Sequence, residues 1–391
     1  MKVRGSIVQG LLTVKEIRSK NQRNGEKKKL LKDQYRHQIL NINVEEAFER
    51  LNQKRQYKEV NIEKKENKRN ILLSIIIPAY NASATISKCL DSVIMQKTNF
   101  TFEVICINDG SKDNTKEILE KYQKKYLNVK LKTTINQGLA AARNEGMKIA
   151  NGRYFFFLDS DDFLPENAIS MIMEDAKRTG AKIILGKVEK YMQKFNCITY
   201  SKKKESKIEN NLITASNYVA GTAWGKLYDS ELWDKIQFFD GYAFEDTIIF
   251  LDIYPQCNKF FLEGDAVYCF RSSNNSLFKK QKGSSEAIDS LWIVLKAVEL
   301  AKNLKINIYS NEYYKLVLWH LSAIMRSRML AVESVETLKD AFVVAAEFVC
   351  KEFVGKRKYE FSGDDSEIYN TLQESFIKKD FGAWEQCSKA F

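Results

Sequence analysis

The chain reads as an α/β protein: a doubly wound, mostly parallel central sheet with flanking helices, a helical C-terminal module and a basic, helical N-terminal extension. Three observations predict it. Between residues 71 and 158, short apolar, β-branched or aromatic runs alternate with segments of helical period. The polar motifs stand just after strands, where the ligand crevice of such sheets lies. Residues 1–70 hold 19 Lys/Arg against 9 Asp/Glu, ten of the twelve net positive charges of the 391-residue chain. The divisions fall at 1–70, 71–283 and 284–391.

Within the extension, residues 26–58 place Leu30, Leu31, Tyr35, Ile39, Leu40, Val44, Phe48 and Leu51 at spacings mostly of three to five. This is compatible with one or two amphipathic helices that dock on the body, a partner, a second copy or an anionic membrane face. A solvated extension accounts for the same composition. Residues 71–77 then form a continuous aliphatic run ended by Pro78, as a central parallel strand does. Helices are expected over 83–94, 115–126, 140–150 and 166–179, and strands over 102–107, 129–133, 154–158 and 181–188. The charged stretch 202–211 reads as an exposed loop. Beyond Ser284 the pattern is helical through residue 354.

Composition narrows the function. The 44% hydrophobic content suits a packed core. Seven cysteines without a CxxC pair suggest reduced thiols, and no stretch is apolar for the roughly 18 residues a membrane span needs. With Gln9-Gly10 breaking the short apolar start, a cytoplasmic protein is expected, open to peripheral contact with the inner membrane face through the basic arm. The two histidines, His37 and His320, lie near no plausible nucleophile, which argues against Ser-His-Asp chemistry. The arm lacks regular aromatic interleaving, so no nucleic acid beyond a nucleotide is expected.

The chemistry gathers at Leu158-Asp159-Ser160-Asp161-Asp162, directly after Tyr154-Phe155-Phe156-Phe157. Three carboxylates crowded past a buried strand repel one another unless a cation or a donor-rich ligand takes up their charge. Oxygen ligands on alternate residues suit Mg²⁺ or Mn²⁺, which one or two carboxylates and substrate phosphates commonly hold. An acidic cap on the helix beginning near Pro165 accounts for the same residues. Four more clusters join this one: Pro78-Ala79-Tyr80-Asn81, then Asn108-Asp109-Gly110-Ser111-Lys112-Asp113-Asn114-Thr115, then Asn136-Gln137-Gly138-Leu139-Ala140-Ala141-Ala142-Arg143-Asn144, and finally Phe244-Glu245-Asp246-Thr247.

In this order the five clusters resemble the family 2 glycosyltransferases, which have the GT-A fold, over about residues 71–280. The resemblance implies a metal-dependent, inverting transfer of a hexose or N-acetylhexosamine from a UDP-sugar. The acceptor it implies is a hydroxyl of a cell-envelope or capsular glycan, a teichoic acid or a glycoprotein. It assigns Asp109 to uracil, with Pro78, Ala79 and Tyr80 lining the base and ribose. Arg143 and Ser160 fall in the donor pocket, Asp159 is the ribose or metal-side contact, and Asp161 is the direct ligand of Mn²⁺ or Mg²⁺. Asp162 becomes a supporting or helix-capping group. Asp246 is the base, with Glu245 as fallback base or orienting neighbour. Trp224 and Lys226, within Trp224-Gly225-Lys226-Leu227-Tyr228, fall in the acceptor or sugar pocket. Arg271, in Tyr268-Cys269-Phe270-Arg271, clamps phosphates from a mobile loop that continues through Ser276.

Structural roles compete at each place: a turn cap for Asp109, a strand terminator for Pro78, a surface cation for Arg143, a helix N-terminal acid for Asp246 and core packing for Trp224. Two rival functions share parts of the pattern. A sugar-phosphate nucleotidyltransferase usually opens with a Gly-rich phosphate loop, whereas residues 78–83 hold no glycine. A non-catalytic nucleotide-sugar-binding scaffold leaves Asp159, Asp161 and Asp246 without a task.

Overall fold

The computed structural model describes residues 37–59, 69–192, 197–199, 205–218, 221–271, 284–330 and 334–391. In chain order come α1 (Val44–Lys54), β1 (Ile71–Ala79), α2 (Ile86–Ile94), β2 (Phe102–Asp109), α3 (Thr115–Lys125), β3 (Val129–Thr134), α4 (Leu139–Ile149) and β4 (Gly152–Phe157). There follow α5 (Ala168–Thr179), β5 (Ile183–Met192), β6 (Cys197–Thr199), β7 (Lys207–Glu209), α6 (Leu212–Ser216), β8 (Lys226–Asp229) and β9 (Phe260–Arg271). The rest is helical: α7 (Asp289–Asn303), α8 (Asn311–Trp319), α9 (Met325–Met329), α10 (Val335–Val349), α11 (Ser366–Ile377) and α12 (Phe381–Lys389). The chain divides into two compact units, one of residues 57–280 with 292–308 and one of residues 1–56, 281–291 and 309–391.

The first unit is built on a mixed, mostly parallel sheet with the order β3-β2-β1-β4-β8-β5-β9-β7. β1 pairs in parallel with β2 and β4, and β2 with β3. Leu73, Ile75, Ile76, Ile77, Val104, Ile105, Cys106 and Ile107 are wholly buried, and burial on both faces is why these strands read as unbroken apolar runs. After β1 the chain moves outward to β2 and β3, then returns to β1's other side as β4. The carboxyl ends of β1 and β4 therefore flank a topological switch point, the place where open α/β sheets bind ligands. Pro78 lies past the last β1–β4 pairing, Ile76 with Phe157, so its missing N–H leaves no ladder bond to β4 unmade. A Cβ on Gly146 would meet Ile76 Cγ2 at 2.4 Å, so the small residues of α4 do bring that helix close against the sheet.

Among the local expectations that change, two are instructive. Part of the 202–211 loop is strand: β7 pairs antiparallel with β9, and its exposed, charged side chains are those of a protected edge strand, not a loop. α5 begins at Ala168 instead of 166, because Asn167 takes a left-handed φ of 66° that interrupts the turn.

In the second unit, α1 is capped by the Asn43 side chain, which accepts from the N–H groups of Glu45 and Glu46. It buries Ala47 and Leu51 and packs against α10. Arg50 clamps Asp340 at 2.7 and 2.9 Å, and Arg55 reaches the fully buried Asp289 at 2.6 Å. This part of the basic arm is thus a docked helix and not a solvated extension. Residues 1–36 and 60–68 of the arm lie outside the described residues. α11 and α12 extend the helical module past residue 354. Among the described residues no helix is long and apolar enough to cross a membrane.

Candidate active site

The loops after β1 and β2 are knitted together. Asn81, at a φ of 49°, donates its N–H to Ser111 Oγ at 3.0 Å and accepts the Lys112 N–H at 2.8 Å. Ala82 N–H bonds Thr115 Oγ1 at 2.7 Å, and Ser83 N–H bonds Asp113 Oδ2 at 3.0 Å. Pro78 and Ala79 are buried at the strand end, while Tyr80 is half exposed beyond them. Asp109 is buried, and its two carboxylate oxygens accept the N–H groups of Gln137 (2.9 Å) and Gly138 (2.8 Å), so it holds the turn that starts α4. Gly110, at a φ of 68°, has Asn136 N only 2.7 Å from where a Cβ would stand, which is why the turn needs glycine.

The acidic turn follows β4. Asp159, Ser160 and Asp161 are each partly exposed, whereas Asp162 is buried. Burial first, and then the charge of Asp159, push the Asp161 carboxyl up to about 6. Asp162 is pushed up to about 8, by burial and then by the charges of Asp161 and Asp159, against the hydrogen bonds it accepts from the Arg271 N–H and the Tyr268 hydroxyl. It caps no helix; it anchors β9. Arg271 ends that strand, with Nε donating to the Asp161 carbonyl at 2.7 Å and its guanidinium 5.0 Å from the Tyr191 ring centroid. The segment after it, 272–283, is outside the described residues. Among the described residues no three His, Cys, Asp or Glu side chains form a metal cluster by themselves.

Arg143 joins this turn to the second acidic motif. Fully buried on α4, it donates to Asp159 Oδ1 at 2.9 Å and to Glu245 Oε1 at 2.5 Å. Burial works against its charge, but Asp159, Glu245 and Asp246 hold it above its ordinary value. It is no surface cation, and Glu245 is its ion-pair partner. The residue before, Phe244, is a buried aromatic at a φ of 60°, a conformation that bulky side chains rarely adopt and that clusters at functional sites. The helical stretch that follows Asp246 widens to i→i+5 turns over Ile249–Ile253, another feature frequent at such sites.

Lys226 is wholly buried, so it does not line an open sugar pocket. Its Nζ donates to Thr222 O at 2.5 Å and to Trp224 O at 3.1 Å, holding the 222–224 turn. Burial pushes this ammonium down to about 7; Arg143 adds to the effect and Asp246 opposes it. Trp224 is half-buried and stacks on Tyr268 at 4.7 Å and on Phe270 at 5.5 Å.

The structure therefore brings Asp159, Asp161, Arg143, Glu245, Asp246 and Arg271 into one neighbourhood. Sequence reasoning gave no task to Ser111, Asp113, Thr115, Phe244 or Tyr268. All five stand inside the motifs named above, but only the fold reveals that the first three brace the loop after β1.

Residues 74–236 match the family model for glycosyl transferase family 2. Over those 163 of the 391 residues the chain is similar to that family. The mixed, mostly parallel sheet described above is of the GT-A type. A poly(ribitol-phosphate) beta-glucosyltransferase of Bacillus spizizenii is 41% identical over 120 residues, covering 30% of this chain and 19% of that protein. Glycosyltransferase GlyG of Streptococcus pneumoniae is 26% identical over 242 residues, 58% of this chain and 79% of that one. The chain thus spans about a fifth of the first relative's length and about four fifths of the second's. A crystal structure of S. aureus TarS 1–349 in complex with UDP-GlcNAc aligns with a TM-score of 0.47 at 19% identity, over 80% of this chain and 93% of that one.

Proposed function

We propose that the protein is a metal-dependent, inverting glycosyltransferase that moves a hexose or N-acetylhexosamine from a UDP-sugar to a hydroxyl of a cell-envelope glycan. Within that class, the poly(ribitol-phosphate)-modifying relative favours a teichoic acid-type acceptor over a capsular glycan or a glycoprotein. One observation carries the reading: the buried Arg143 bonds the strand-end Asp159 and Glu245 at once, holding the acidic turn beside the Glu245-Asp246 turn at the switch point.

The residues fit a divalent ion. Asp161 and Asp159 are hard oxygen donors on alternate residues, partly exposed; burial and then the charge of Asp159 raise the Asp161 carboxyl, and a cation relieves that repulsion. Asp161 and Asp159 would hold Mn²⁺ or Mg²⁺, with donor phosphates completing the shell, and the ion would supply charge neutralisation to the departing UDP. The chain's own residues do the rest. Asp246 takes the acceptor hydroxyl proton as that oxygen bonds the anomeric carbon from the face opposite UDP, and the bond from that carbon to the diphosphate oxygen breaks. Glu245 and Arg143 orient Asp246. Pro78, Ala79, Tyr80, Ser160 and the turn held by Asp109 form the nucleotide wall, and Arg271 answers the diphosphate charge.

A panel of UDP-sugars incubated with the protein, a polyol-phosphate or glycan acceptor and Mn²⁺ or Mg²⁺ tests this. Release of UDP that EDTA abolishes is expected. No UDP from any donor, or turnover that depends on pyrophosphate, would overturn it.

A further inference from the structure

Tyr268 has no part in the chemistry above, yet it touches the acidic turn twice. Its buried hydroxyl donates to Asp162 Oδ2 at 2.6 Å and accepts the Asp159 N–H at 3.2 Å. The other oxygen of Asp162 accepts the Arg271 N–H at 2.6 Å, and Arg271 Nε returns a bond to the Asp161 carbonyl at 2.7 Å. Phe163 and Cys269 exchange two backbone bonds, at 2.9 and 3.3 Å. Residues 159, 161, 162 and 163 are thus all fastened to the last four residues of β9, and none of these bonds uses a side-chain oxygen of Asp159 or Asp161. Of the three aspartates, Asp162 alone spends both oxygens on the fastening.

We propose that Tyr268 and Asp162 are positioning residues. Their hydrogen bond locks the acidic turn to the strand that ends in Arg271, so that the carboxylates of Asp159 and Asp161 and the Arg271 guanidinium meet a donor diphosphate as one rigid unit. The proposal rests on the donor reading given above. Tyr268→Phe isolates the hydroxyl, because the ring that stacks on Trp224 stays. The change leaves Asp162 Oδ2 without a donor and the Asp159 N–H without an acceptor. In Asp162→Asn the amide keeps an oxygen for the Arg271 N–H and presents an N–H toward the Tyr268 oxygen.

The test compares full-length wild type, Tyr268→Phe, Asp162→Asn and Asp161→Asn. Mn²⁺ binding is measured by electron paramagnetic resonance, UDP binding in Mn²⁺ by calorimetry, and steady-state kinetics give donor KM and kcat. Tyr268→Phe is expected to lose roughly tenfold in UDP affinity in Mn²⁺, and to raise donor KM more than it lowers kcat. Asp162→Asn, which sets an amide N–H against the Tyr268 O–H, should lose UDP affinity about as Tyr268→Phe does while keeping the Mn²⁺ binding that Asp161→Asn loses. Wild-type Mn²⁺ and UDP affinity in Tyr268→Phe overturns the proposal, as does a lowered melting temperature with unchanged affinity in the folded protein. Should Tyr268→Phe fail to fold, the two aspartate variants decide: equal losses of Mn²⁺ binding make Asp162 a ligand and end the proposal, as does wild-type UDP affinity in Asp162→Asn. A wild-type protein that binds no UDP in Mn²⁺ overturns the donor reading and this inference together.

Discussion

The acidic turn over residues 159–162 is secured by several hydrogen bonds to one strand, whereas the turn carrying Glu245 and Asp246 is paired with a buried arginine and follows a phenylalanine with left-handed backbone. The first arrangement spreads its bonds over residues 159, 161 and 162. The second joins two acidic motifs through one cation. In the proposed roles the base stands on the turn paired with Arg143, and the cation-binding carboxylates stand on the turn fastened to β9.

The sharpest way to break that contrast is Arg143→Met, which strips both turns of their shared cation and leaves Asp159 and Glu245 uncompensated. It should cost about 3–5 kcal/mol in urea unfolding and abolish transfer. Asp246→Asn addresses the second turn alone: kcat should fall about 10²–10⁴-fold with UDP binding unchanged by calorimetry. Near-normal turnover would remove Asp246 from the chemistry. Asp161→Asn addresses the first turn, and UDP affinity in Mn²⁺ should weaken on the order of 10–100-fold with little change in melting temperature.

A pH dependence of stability comes from Lys226, near the second turn. Lys226 sits near 7 when folded and at its ordinary 10.5 when unfolded, so between those values the unfolded chain holds a proton that the native one does not. Wild-type stability should therefore gain from this residue as pH rises from 7 toward 10. Lys226→Met should flatten that rise in denaturation curves taken across the window, and an unchanged slope would show that Lys226 is not its source.

Most of the parallel half was legible in the sequence because strands covered on both faces must be apolar throughout, as in Ile75-Ile76-Ile77 and Phe155-Phe156-Phe157. β7 was not, since an exposed edge strand such as Lys207-Ile208-Glu209 has the composition of a loop. The acidic residues were legible as residues but not as partners. Arg143 and Glu245 are 102 positions apart, and Tyr268 and Asp162 are 106 apart, distances over which no local period carries a signal. The left-handed backbone of Phe244 was equally hidden, because the residue type argues against it. Lys226 misled for a related reason: a lysine beside a tryptophan suggests an open pocket, and only the fold shows its ammonium spent on backbone carbonyls.

The docking of α1 on α10 sets an order on folding. Arg50 meets Asp340 only after 290 further residues have been made, so an early-synthesised helix waits, apolar stripe uncovered, for the far end of its own chain. The uninterrupted stretch 57–280 can condense in the meantime. Synthesis of this chain therefore carries a long interval in which the apolar side of α1 has not yet met α10.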